Sequence, residues 1–235
     1  RIAARQRNLD ALRVAASLSP RIGARVRTGI AIYAPEQARA VVAAVLDRGF
    51  AVATHALGNA AIDVALDAYE AAEHQLHRSG TPRIEHAAFA TSAQARRLAG
   101  LGVAAVVQPS MLTMPAMNGA AAIPSLPFFP LARLLDAGVM LVGSSDHPVH
   151  TLDPLVGIRA AVHRENALGE CVDPEERIDL MRALAMYTRN AAEVLGCADE
   201  TGTLTVGKRA DVVVVEGLED RAPQLAHVWT GGVHG

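Results

Sequence analysis

From residue 35 onward the chain repeats one pattern: an amphipathic stretch, a glycine, a short apolar run, then a polar residue. Residues 36–47 put Ala38, Val41, Val42 and Leu46 on one stripe of a helix. Gly49 follows, where a helix end favours glycine. Residues 50–55 then predict a short buried strand ending in His55. The second unit is a helix over 60–77, Gly80, and a strand over 82–86 ending in His86. The third is a helix over 92–99, a Gly-Leu-Gly break, and a strand over 103–108 ending in Gln108. The fourth is a helix over 130–136, Gly138, and a strand over 139–142 that leads through Gly-Ser-Ser to Asp146. Apolar strands alternating with helices mean a parallel sheet covered on both faces.

The flanks follow other patterns. Residues 6–18 predict a helix ended by Pro20, and residues 21–33 carry no clear element beyond a short apolar run at 29–33. A Pro/Met/Gly-rich loop occupies 109–127. After Asp146, helices are expected over 155–167 and 174–195. The tail then changes character, with a turn-rich β segment over 201–215 and one more strand over 228–233. The expected division is a catalytic domain over 1–197 and part of a small β-sandwich over 198–235.

Composition narrows the partners. With 235 residues, 51% of them hydrophobic, the chain can bury a full core. A formal net charge of -2 gives no reason to expect nucleic acid or an anionic membrane surface. Aromatic residues make up only 3%, against a base-stacking platform. No apolar run reaches the ~20 residues that span a bilayer. Cys171 and Cys197 lack metal-ligand spacing, which suits unpaired thiols in the cytoplasm. The chain starts at Arg1 without a leader pattern, so a trimmed or incomplete N-terminus is expected.

The candidate chemistry lies at the strand ends. His55 and His86 are 31 residues apart, one strand–helix unit, and Asp146 lies 60 further on. In a (β/α)8 barrel the C-terminal strand ends converge on one mouth, so the three could face one point. Two imidazoles and a carboxylate suit Zn2+ or a similar divalent ion, one ion or two. Asp146 could then hold a water and shuttle its proton. The plainer reading of each residue is a satisfied polar group at a strand end. Gln108, Ser110 and His147 are weaker candidates for contact with substrate. Glu85, next to His86, should point away from the mouth by strand alternation. His74 and His77 read as a solvated helix face, and Met111, Met114 and Met117 as loop packing.

Five segments carry a resemblance: residues 54–63 (Thr-His-Ala-Leu-Gly-Asn-Ala-Ala-Ile-Asp), 83–87 (Arg-Ile-Glu-His-Ala), 107–109 (Val-Gln-Pro), 143–148 (Gly-Ser-Ser-Asp-His-Pro) and 187–192 (Tyr-Thr-Arg-Asn-Ala-Ala). Together with residues 202–214 in the tail, they resemble the amidohydrolase superfamily, and within it the amidohydrolase 3 group of N-substituted formamide deformylase-like enzymes. The resemblance implies a metal-dependent hydrolase on a TIM barrel, cleaving a non-peptide C–N bond of a small-molecule amide with a metal-activated water. It implies that His55 and His86 are metal ligands, and that Asp146 is both a ligand and the general base and acid. The first-strand His-x-His of that family occurs nowhere in the chain, and the only lysine, Lys208, lies in the tail. The pattern therefore reads as the second half of a barrel, with the first half expected upstream of Arg1. A deaminase or cyclic-amide hydrolase of the same superfamily, or a truncated non-catalytic member, are the alternatives. A homo-oligomer is left open.

Overall fold

The computed structural model describes residues 32–115, 127–218 and 223–234. The helix expected over 6–18 and the middle of the 109–127 loop, Met117 included, lie outside the described residues. Element order is α1 (Pro35–Asp47), β1 (Ala53–Ala56), α2 (Asn59–Ala71), β2 (Arg83–His86), α3 (Ser92–Gly100), β3 (Ala104–Val107), α4 (Leu131–Asp136), β4 (Leu141–Gly143), α5 (Pro154–His163), α6 (Leu180–Tyr187), α7 (Arg189–Val194), β5 (Val212–Glu216), β6 (Gln224–Thr230) and β7 (Val233–His234).

Strands β1 to β4 form one parallel sheet in chain order. Each expected apolar run carries one of them. Helices cover the sheet because their apolar stripes need a partner surface. Ile62, Leu66, Ile84, Leu98, Leu131, Leu134 and Leu141 are all fully buried in the resulting core. A capping box starts α3: Thr91 Oγ1 accepts from Gln94 N at 3.3 Å, and Gln94 Oε1 accepts from Thr91 N at 3.0 Å. Gln94 Nε2 also donates to Asn59 O at 2.6 Å and to Asp63 Oδ1 at 2.7 Å, which ties α3 to the start of α2. Tyr69 on α2 bridges two strands, its hydroxyl meeting Thr54 Oγ1 at 2.6 Å and Arg83 O at 2.9 Å. Burial pushes that phenol up to about 12.

Three helical expectations change. The helix expected over 60–77 stops at Ala71 and gives way to a 3₁₀ turn, Glu73–Gln75. His74 and His77 thus do not share a helical face, and His77 Nε2 instead meets Leu101 O at 2.8 Å. The helix expected over 155–167 ends at His163, because Arg164 adopts a left-handed conformation with φ 58°. The single helix expected over 174–195 is a 3₁₀ turn, Pro174–Glu176, followed by α6 and α7. Asp179 starts α6 by accepting from Arg182 N at 2.8 Å. The chain leaves helical geometry at Thr188, with φ -126° and ψ -100°.

That break follows from packing. The ring of Tyr187 lies across Gly143 and Gly157, and a Cβ on either glycine would collide with it. Asn190 Nδ2 donates to Leu141 O at 2.9 Å and docks α7 on β4. The second sheet is antiparallel, in the order β5-β6-β7. Its tight turn uses Gly231 and Gly232 at φ 59° and 83°, the paired positive angles that a two-residue hairpin requires.

Candidate metal centre

β1 and β2 deliver the two histidines. In register, His55 is level with Glu85, and Ala56 with His86. Strand alternation alone would put the histidines on opposite faces. The alternation breaks at His86, which takes φ 79°, and Ala87 follows at 46°. The two imidazoles meet edge to face, with ring centroids 4.6 Å apart and an interplanar angle of 78°. Non-glycine residues held in this region carry strain, and such strain clusters at functional sites. Glu85, expected to point away, shares the register level of His55 and is held by Arg83 Nε at 2.8 Å.

Gln108, at the exit of β3, orients His86. Its Nε2 donates to Val106 O at 3.1 Å, so its Oε1 is the acceptor that His86 Nδ1 meets at 2.8 Å. That bond calls for the proton on Nδ1 and leaves the Nε2 lone pair for a metal ion. An imidazole held through its other nitrogen in this way is the usual support of a metal ligand. Gln108 and His86 are both buried, at 1% and 7% exposure.

Asp146 follows β4 and also has a positive φ, 53°, with its backbone N donating to Ser144 Oγ at 3.1 Å. The structure brings His55 and His86 together with Gln108. Among the described residues no group of three or more His, Cys, Asp or Glu is placed to hold a metal ion, so Asp146 does not complete the pair. His147 is exposed, and its backbone N donates to Ser145 Oγ at 3.3 Å.

Ser110 lines a cleft of about 290 Å³ beside the β4 exit, with Gly143, Ser144, Thr151 and Tyr187. Ser144 and Thr151 each accept a backbone N–H, from Asp146 and from Asp153, so their hydroxyl protons stay available as donors. Ser110 Oγ is buried without a partner among the described residues. Burial raises the Tyr187 phenol above its ordinary value. Sequence reasoning gave Tyr187 no role. The glycines at 143 and 157 that make room for its ring were the available signal.

Arg164 is a second residue that reading along the chain missed. It is fully buried and donates to Phe128 O (2.7 Å), Phe129 O (2.9 Å) and Val172 O (3.1 Å), with Asp173 Oδ2 at 3.4 Å. It pins the segment entering α4 to the strip after α5.

The sequence pattern of the amidohydrolase family matches residues 5–233. The chain belongs to that family. Among its relatives is the N-substituted formamide deformylase of Arthrobacter pascens, 34% identical over 83% of this chain and 36% of that protein. An imidazolonepropionase from Symbiobacterium thermophilum is 30% identical over 82% of this chain and 40% of that protein. Among solved structures, a metal-dependent hydrolase from Pyrococcus furiosus superposes with a TM-score of 0.64 at 32% identity, covering 77% of this chain and 36% of that one. The chain thus spans well under half the length of these relatives.

Proposed function

We propose that the protein is a metal-dependent amidohydrolase that hydrolyses a non-peptide C–N bond of a small-molecule amide. Residues 1–197 would be the second half of its TIM barrel, and 198–235 part of a small β-sandwich. The observation that carries the reading is the His55–His86 pair with Gln108 fixing the His86 tautomer. The relation to a deformylase of N-substituted formamides supports an amide substrate.

The residues fit a divalent ion, most simply Zn2+, in one copy or two. His55 and the Nε2 of His86 would hold it, and Asp146 would become the third ligand by moving toward the pair, since the described residues do not bring the three together. Such an ion acidifies a bound water and polarises a carbonyl. The carboxylate of Asp146 takes the proton from the attacking water and returns it to the leaving amine nitrogen. Water and amide thereby give a carboxylic acid and an amine. Gln108 keeps His86 oriented throughout, and the hydroxyls of Ser110 and Ser144, with His147, would meet the substrate.

Asp146→Asn tests the assignment. Turnover of an N-substituted formamide by the purified protein should fall by at least about a hundredfold, the size expected when a proton-transfer group is lost, with the circular dichroism spectrum unchanged. An Asn variant that retains wild-type turnover removes Asp146 from the mechanism. The match to an imidazolonepropionase supports a second reading within the superfamily, a cyclic-amide hydrolase or deaminase. Hydrolysis of cyclic amides but not of open-chain formamides would favour it.

A further inference from the structure

We propose a transition-metal site on the antiparallel sheet, formed by His227 of β6 and His234 of β7 and separate from the His55–His86 centre. The two-residue turn at Gly231 and Gly232 sets the β6–β7 register, with Trp229 opposite His234 and Thr230 opposite Val233. His227 stands two residues before Trp229 on the same strand, so all three rings share one face. His227 Nδ1 and His234 Nε2 are 3.1 Å apart, with ring centroids 5.2 Å apart.

That spacing matches two ligands of one ion. A metal at about 2.05 Å from each nitrogen would subtend roughly 100° at this separation, between the square-planar and tetrahedral angles. The hairpin register sets the two histidines side by side, and their rings turn from facing each other to face a shared ion. Both histidines are exposed, which gives an ion an open path and leaves its other positions to water. Directly opposite Trp229 and His227, β5 places Val212 and Val214, so these two positions add no donor to the pair. Two neutral imidazoles and water suit Cu2+ or Ni2+, and Cu2+ binds such donors most tightly in the divalent series. In the ion-free pair one nitrogen must carry the proton that joins it to the other. Metal binding needs both of these nitrogens as acceptors, so that proton moves to the other nitrogen of its ring.

Trp229 reports the event. It is the only tryptophan in the chain, and its ring lies 5.5 Å from His227 and 5.0 Å from His234. Titrating the purified protein with copper(II) chloride should quench the Trp229 emission saturably in the micromolar range, with EDTA restoring it. His227→Gln and His234→Gln should each shift the midpoint upward by about tenfold or more, since even outer-shell changes at metal sites cost that much. Electron paramagnetic resonance of the copper-loaded wild type should show two imidazole nitrogens. Quenching unchanged in both variants, or a spectrum without two nitrogen ligands, overturns the site.

Discussion

β3 and β5 are built from nearly the same material and end in opposite surroundings. Ala-Ala-Val-Val in β3 is buried at all four positions. Val-Val-Val-Val-Glu in β5 has no buried position, with Val213 57% exposed and Val214 40% exposed. β3 has strand neighbours on both sides and packs into the core under helices, whereas β5 lies at the edge of a three-stranded sheet. Burial is therefore a property of the layers around a strand, not of its apolar run. The candidate metal centre sits at the exit of the buried sheet, where packing can hold Gln108 against His86. The open sheet presents its histidines to solvent.

The comparison can be broken most forcefully at the buried clamp. Arg164→Met should destabilise the protein by about 3–5 kcal/mol, because it leaves three carbonyls and Asp173 without their donor. Urea denaturation measures this. A loss below about 1 kcal/mol, the worth of an ordinary hydrogen bond, would mean that the clamp is dispensable. Ile84→Ala, in the fully buried part of β2, should cost about 2–5 kcal/mol by the same assay.

Asp173 sharpens the picture through pH. Burial raises its carboxyl above the ordinary 3.8, against the opposing pull of the Phe128 N–H and Arg164. A raised carboxyl binds its proton more tightly in the folded chain than in the unfolded one. Its stabilising contribution is full below 3.8 and is lost as pH rises through the folded value. Asp173→Asn is neutral at every pH, so it should flatten that fall in a series of urea midpoints taken from acid to neutral. A parallel pH dependence in wild type and variant would contradict the shift. The smallest effect belongs to the open sheet, where Val213→Ala should change stability by less than about 0.5 kcal/mol. A cost matching that of Ile84→Ala would show that β5 is covered after all.

Much of this was legible along the chain. The glycine–apolar–polar repeat located all four parallel strands, and their polar termini pointed to His55, His86, Gln108 and Asp146. What escaped depended on distant partners. The break at Thr188 follows Tyr187 lodging over Gly143 and Gly157, a contact that no local pattern encodes. The meeting of His55 with His86 needs a left-handed residue at the strand end, whereas simple alternation sends the rings apart. Arg164 sits at the end of a helix, where an arginine ordinarily reaches solvent, and only the fold shows it buried among carbonyls.

The most direct measurement is metal content and affinity of the purified protein in a His227→Gln/His234→Gln background, which keeps the second sheet from contributing. Zinc should bind there, and His86→Ala should abolish that binding. Gln108→Ala should weaken it by about 10–100-fold, as the loss of an orienting partner does at other metal sites. Zinc bound equally by wild type and His86→Ala would contradict the assignment of the centre to this pair.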